Sequence, residues 1–352
     1  MPVTFRRKLL CSCAGLVAFR CYIGVFKFIL MTRRKTIRVF EGFAGYGGAS
    51  FGLKRSGIKY KVIGMSEFDK FASALLAQNF PKIKNWGDIT TIDPEKLPDF
   101  DLFTGGFPCQ PFSTAGLQLG EKDKYGRGTL FYHIIRICAV KKPQYLLLEN
   151  VKGLTQKKFS EYFDMIKQSL KDLGYGDIAY AVLNSKDYGI PQNRERLWIF
   201  ARLGGLPKNF NIVPPKKKLK YRFGDFLDEN PPKELYLSEA QIEHLKFKHN
   251  INSFKVNEPL CFDVYNKKIK TDAVCITITQ PEHNSLRVIE KPCGDKEIVR
   301  KMSVDEQFRF MGFKDGELDY TGQSYSQMSK RAGNGWDINL VGILVKHIFS
   351  QL

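Results

Sequence analysis

Between residues 37 and 201, five short apolar runs recur at intervals too long for hairpins. They are IRVFEGF (37–43), KVIGMSE (61–67), DLFTGG (101–106), YLLLENV (145–151) and LWIFA (197–201). The pieces between them, ASFGLKRSG, DKFASALLAQNF, TLFYHIIRICAVKK and FSEYFDMIKQSLKDLG, read as helices. In the last, Phe159, Phe163, Ile166 and Leu170 fall three or four residues apart and share one face. Strands that alternate with helices are joined by crossovers, and crossovers lay strands side by side in parallel. The pattern predicts an α/β fold built on a doubly wound, mostly parallel sheet, with ligands at the carboxyl ends of its strands.

The alternation stops near residue 205. LPKNFNIVPPKKKLK and DENPPKE are breaks, and residues 206–324 hold short β-like runs such as VCITIT. A second, smaller domain is expected there, with the apolar helix INLVGILVKHIF docking back on the first. The division is then 1–35 as a leader, 36–205 with 325–352 as the main domain, and 206–324 as the second.

The leader carries eight Lys and Arg, and no acid precedes Glu41. Its apolar run LLCSCAGLVAF is followed by Arg20 and Lys27, so no stretch reaches the ~20 uncharged residues of a membrane span. Met31 stands just before the first strand. Residues 1–30 read as dispensable; a membrane-associating leader is the alternative. The whole chain has 55 basic and 36 acidic residues, net +19. That charge favours a polyanion such as nucleic acid, although a basic surface serving solubility alone fits it too. The eight cysteines include no CxxC pair, so neither a zinc set nor a disulfide framework is expected, and a reducing cytoplasm suits the chain.

Candidate site residues gather at the strand ends. EGFAGYGGAS carries Gly42, Gly45, Gly47 and Gly48, which let the backbone turn sharply toward a ligand before the next helix. Ser50 stands where a dinucleotide fingerprint needs its third glycine, so that pattern fits poorly. Glu67, ending the second strand in SEFDKFA, suits ribose hydroxyls or simply a helix start. Asp88, in WGDIT at the expected end of a third strand, suits an adenine amino group or caps a turn. In GGFPCQPFS, Cys109 sits between Pro108 and Pro111, where a turn exposes a thiol rather than burying it. LLLENV brings Glu149 and Asn150 to the same sheet edge, and QNRERL adds Arg194 and Arg196, which face one way if extended. Such a set suits an addition–methylation scheme: a thiolate adds to an electron-poor ring carbon, a carboxyl protonates the ring nitrogen, and the neighbouring carbon takes a methyl group.

In this order, GFAGYGG, SEFDKFA, GDI, GGFPCQPFS, LLLENVKGL, YGIPQNRERLWIF, RKMSVDEQFRFMGF and AGNGWD resemble the motifs of the C5-cytosine DNA methyltransferase family, from about residue 36 to 345. The resemblance implies a Rossmann-like S-adenosylmethionine-dependent methyltransferase fold with a target-recognition domain. It implies Cys109 as nucleophile on cytosine C6, Glu149 on N3 and the exocyclic amine, Arg196 on O2, Arg194 organising the site, and Asn150 bracing the Pro108–Cys109 turn. Phe43, Gly45, Tyr46, Gly48, Glu67, Phe68, Asp88, Ile89, Asn334, Gly335 and Trp336 would line S-adenosylmethionine. Arg300, Glu306 and Arg309 would be scaffolding. Two positions depart from the family pattern: Glu41 stands where Asp is common, and Trp336 where a small or β-branched residue is.

The partner implied is double-stranded DNA, bound by a monomer without metal or membrane. Its target cytosine would be flipped out, attacked covalently and methylated at C5 within a short specific sequence, for a restriction–modification system or as an orphan or phage enzyme. Residues 116–128 resemble a loop that closes on DNA, or form a solvated surface loop. Ser113, Arg127 and Thr277 are the DNA contacts implied. Lys216, Lys217, Lys218, Lys220, Lys267, Lys268 and Lys270 are phosphate-contact candidates, or solvated charges. An RNA-directed relative would carry CFT where this chain has Cys261-Phe262-Asp263. An inactive DNA-binding module leaves the intact Cys109, Glu149 and Arg196 without purpose, and a nicotinamide dehydrogenase leaves the PCQ, ENV and QNRERL segments unexplained.

Overall fold

The structure, a computed structural model, describes residues 36–108, 130–281 and 286–352. Four strands are apolar almost throughout: β1 (Ile37–Gly42), β2 (Tyr60–Ser66), β3 (Leu102–Gly106) and β4 (Tyr145–Val151). Runs of this kind have no polar face to turn to water and belong in a sheet covered on both sides. They pair in parallel in the order β2-β1-β3-β4, and β6 (Glu195–Arg202) adds antiparallel to β4. Beyond β6 lies β5 (Ile178–Asn184), a sixth strand that is not among the five expected. It is an edge strand of six consecutive apolar residues, IAYAVL, then Asn184, with Tyr180 47% exposed and Leu183 buried. The expected strand ending at Asp88 is absent; there Asn85 makes only a single bridge to Met65, and Asp88 lies in the loop beyond it.

Helices cover both faces. α1 (Gly48–Ser56) follows the glycine turn, α2 (Lys70–Asn79) follows β2, α3 (Leu130–Lys141) precedes β4, and α4 (Ser160–Asp172) follows it. On one face Phe40, Phe103, Leu146 and Leu148 pack with Ile134 and Ile166. On the other, Val39, Leu102, Leu147 and Trp198 pack with Val341 and Leu344 of α8 (Ile338–Phe349), the C-terminal helix that sequence expected to dock on the main domain. Chain order reverses direction between β1 and β3, which opens a crevice at their carboxyl ends.

The second region contains α5 (Glu239–His249) and an antiparallel sheet ordered β10-β9-β7-β8. Its strands are β7 (Leu260–Asp263), β8 (Lys268–Lys270), β9 (Leu286–Cys293) and β10 (Lys296–Arg300), followed by α6 (Val304–Arg309) and α7 (Tyr325–Asn334). A core of Tyr46, Phe51, Phe223, Cys261, Cys275, Phe308 and Phe310 runs from the glycine turn into this sheet. Residues Ile37–Leu352 accordingly form one compact unit. Arg300 and Glu306, both fully buried, form a two-pronged pair at 2.8 and 2.6 Å; Glu306 also accepts from the Ser303 and Asp228 amides. Arg309 bridges Asp228 and Asp315, each at 2.7 Å, which fastens the connection between the two sheets. Among the described residues no helix is long and apolar enough to cross a membrane.

Candidate active site

A cavity of about 500 Å³ opens at the carboxyl ends of β1 to β4. The turn after β1 supplies Phe43, Gly45, Tyr46 and Gly48; the end of β2 supplies Glu67 and Phe68; the loop beyond supplies Asp88 and Ile89; the end of α7 supplies Asn334, Gly335 and Trp336. Every position expected to hold the cofactor therefore lines this one space. Glu67 accepts from the Gly45 and Asp69 amides, both at 2.8 Å, and so straps the glycine turn to the start of α2. Phe68 beside it is 76% exposed at the cavity wall. Asp88 accepts from the Thr90 amide at 2.9 Å, closing a local turn. The Tyr46 hydroxyl donates to the Trp336 carbonyl, and a side chain at position 335 would run into the Tyr46 ring, so the two walls meet only because residue 335 is glycine.

Glu149 lies at the end of β4, 8% exposed, on the face that also carries Leu147 and packs toward Trp198. Its Oε1 pairs with Arg196 Nε at 3.1 Å, and its Oε2 accepts from the Trp336 indole N–H at 3.1 Å. Burial raises its pKa, against the opposing pull of Arg196, Arg194 and the indole hydrogen bond. Burial likewise lowers the pKa of Arg196, with Glu149 opposing. Such a carboxyl can keep a proton where an exposed glutamate would have lost it. The next residue, Asn150, points to the other side of the strand. Its Nδ2 donates to the Phe107 carbonyl at 2.9 Å, fixing the chain one residue before Pro108, which also lines the cavity.

The two arginines of QNRERL part company. Arg196 reaches the cavity, whereas Arg194 is 2% exposed and donates to the carbonyls of Ile278, Gly333 and Gly335 at 2.9, 3.0 and 2.7 Å. Burial beside Arg196 lowers its pKa to about 9. It holds from behind the backbone carbonyls of Gly333 and Gly335, which flank Asn334 and precede Trp336. Thr277 donates to the Asn193 carbonyl at 2.6 Å, tying the second region to the same turn. Cys109, Ser113, Arg127 and the 116–128 loop lie outside the described residues.

Three further residues have roles that the sequence does not assign. Gln192 is fully buried, donates to the Phe310 carbonyl at 2.7 Å and accepts from the Ile278 amide at 3.1 Å. It stands in the QNRERL segment, where the neighbouring arginines carry the stronger chemical signal. Glu41 accepts from the Ala49 and Ser50 amides at 2.8 and 3.1 Å, at the opening of α1. Asp69 caps α2 and pairs with the buried Arg331 at 2.5 Å across the cavity mouth. Among the described residues no three His, Cys, Asp or Glu side chains gather as a metal ion would require.

A family model described as C-5 cytosine-specific DNA methylase matches residues 37–350. Type II methyltransferase M2.ScrFI of Lactococcus lactis subsp. cremoris is 30% identical over 375 aligned positions, covering 90% of this chain and 99% of its own. Type II methyltransferase M.HaeII of Haemophilus aegyptius is 34% identical, covering 90% of this chain and 94% of its own. Among solved structures, the S. pombe Dnmt2 methyltransferase superposes with a TM-score of 0.68 at 20% identity, over 90% of this chain and 99% of that one, a likeness of fold.

Proposed function

Since the chain belongs to the C-5 cytosine-specific DNA methylase family and is a DNA cytosine-5-methyltransferase, we propose that it methylates cytosine within a short specific sequence of double-stranded DNA, through a covalent bond from Cys109 to C6. The observation that carries this reading is the buried Glu149–Arg196 pair in the cavity wall, one residue from Asn150, whose side chain braces the Phe107 carbonyl two residues before Cys109 in sequence.

The cavity fits S-adenosylmethionine in size, since ligand clefts run to roughly 300–1,000 Å³, and in chemistry. Glu67 and Asp88 supply carboxylates for hydroxyl and amino groups, Phe68 an exposed ring for stacking, and Gly45 and Gly48 close backbone approach. When bound, the cofactor supplies an electrophilic methyl group. The protein's own residues prepare the base. The target cytosine leaves the stack at a cost of a few kcal/mol, because C6 is shielded inside a duplex. Arg196 donates to O2 and Glu149 delivers its proton to N3, so that attack by the Cys109 thiolate on C6 builds no negative charge on the ring. C5 then takes the methyl group from the sulfonium, leaving a neutral thioether. Loss of the C5 proton to solvent, cleavage of the sulfur–C6 bond and return of the N3 proton to Glu149 restore the aromatic ring, the thiolate and the acid. Residues 206–324 are assigned to target recognition, with Ser113, Arg127 and Thr277 at the DNA. The Type II names of the relatives support a modification role beside a restriction enzyme, and an orphan enzyme is the variant of the same reading.

The test is bisulfite sequencing of DNA incubated with the purified chain and S-adenosylmethionine. Protected cytosines at one short motif are expected, lost in Cys109→Ser, together with a denaturation-resistant complex on a 5-fluorocytosine duplex. Random protection, or equal trapping by the serine variant, overturns the mechanism.

A further inference from the structure

Trp336 touches both halves of the cavity with polar groups. Its carbonyl receives the Tyr46 hydroxyl from the glycine turn, and its indole N–H donates to Glu149. The ring is 8% exposed, packed edge-on against Trp198 at 4.9 Å. Room for it comes from two neighbours without side chains. A Cβ on Gly106 would stand 2.6 Å from the indole nitrogen and 2.9 Å from Glu149 Oε2, and one on Gly48 would stand 3.1 Å from Trp336 Cβ. With Arg196 on one oxygen and Trp336 on the other, the Glu149 carboxyl is held in a single orientation. A ring of the same bulk without the N–H would fill the space and leave Oε2 free to rotate away.

We propose that Trp336 is a positioning residue, which fixes the Glu149 carboxyl against the base and joins that orientation to the cofactor side of the cavity through Tyr46. The inference rests on the function proposed above. The charged and titratable groups facing Glu149 are Arg196 and Arg194 from the 194–196 segment and Tyr46 from the glycine turn, so a change at Trp336 adds no charge of its own. The indole hydrogen bond favours the ionised carboxyl; its loss leaves Glu149 protonated to higher pH.

The chain has three tryptophans, so 5-fluorotryptophan labelling gives three fluorine signals, and Trp336→Phe identifies the one that matters. In the free protein the Trp336 signal is expected to titrate with a midpoint above the usual glutamate range, and to stop titrating in Glu149→Gln. In kinetics, Trp336→Phe is expected to lower single-turnover methyl transfer about tenfold, the size of one hydrogen bond to a charged group. The KM for S-adenosylmethionine stays within about twofold, and the alkaline limb of the rate profile moves to higher pH. An unchanged Trp86 signal certifies folding of the variant, since Trp198 touches the replaced ring and shifts with it. A flat Trp336 signal, or a titration that survives Glu149→Gln, overturns the inference. So does a rise in KM with the transfer rate intact, which would make Trp336 a wall of the cofactor cavity alone. Absence of any methylation by the unaltered chain sinks the functional reading instead, and the fluorine titration still decides the contact.

Discussion

Glu41, the next-to-last residue of β1, is 3% exposed, and its carboxylate takes the Ala49 amide, the Ser50 amide and the Ser50 hydroxyl across the glycine turn. Three donors favour the charge, yet burial outweighs them and raises the pKa to about 7. The folded protein thus holds this proton more tightly than the unfolded chain does. The contribution is fully present below the unfolded value of 4.5 and is lost as pH rises through about 7. Glu41→Gln keeps the shape without the titration. Urea unfolding at several pH values is expected to show the wild type losing roughly 2–3 kcal/mol relative to the variant between pH 4.5 and 8, at about 1.4 kcal/mol per pKa unit. A constant difference would mean that Glu41 ionises in the fold without penalty. From sequence this residue is visible only as a departure from Asp, because its partners lie eight and nine residues on, across a turn whose path no periodicity specifies. Glu149, Asn150 and Arg196 are legible because rare residues stand together at expected strand ends. The destination of Arg194 is not. Alternation puts 194 and 196 on one side only within a strand, and β6 begins at Glu195.

At the scale of elements, α1 and α8 approach until backbone meets side chain. A Cβ on Gly52 would collide with Val341 of α8 and stand 3.3 Å from the Ile338 carbonyl. Gly52→Ala gains helix propensity but overpacks a buried contact, so a net loss of about 1–3 kcal/mol is expected by chemical denaturation. A stabilised variant would show that the two helices slide apart freely. That α8 returns to the main domain is readable from its apolar face, but the residue on which it lands is not, since glycine carries no pattern. The same logic separates the strands. β1 to β4 and β6 are covered on both sides and appear as continuous apolar runs. β5 pairs with β6 alone, and its Tyr180 and Val182 remain exposed although IAYAVL is as apolar as its neighbours, so an apolar run by itself does not tell an edge strand from a covered one. In the second region three- to eight-residue strands in antiparallel pairs leave only scattered β-like runs in the sequence.

The molecule as a whole carries +19, and net charge says nothing about where a polyanion would lie. The structure sorts the candidates. Lys216 pairs with Asp187 at 2.8 Å and Lys270 with Asp272 at 3.4 Å, so each already has a carboxylate. Lys217, Lys218 and Lys220 are near Lys216, on a segment anchored where the Lys217 amide donates to the Asp187 carbonyl at 2.9 Å. Among the described residues no carboxylate pairs with the exposed Lys217, Lys218 or Lys220, and an exposed, unpaired cation gives up little on meeting a phosphate, whereas a paired one must first leave its partner. Each phosphate neutralised releases counterions, which lowers log K by about 0.9 per tenfold rise in salt. Replacing Lys217, Lys218 and Lys220 by Ala is expected to weaken duplex binding equally for target and non-target sequences and to flatten the salt slope by about one unit for each phosphate no longer neutralised. Lys216→Ala is expected to change the slope less. Anisotropy titrations at several salt concentrations read both effects. A slope unchanged by the triple variant would place the segment away from the DNA and leave the basic charge of this face to solvation. Weakening confined to the target sequence would instead assign these lysines to base readout.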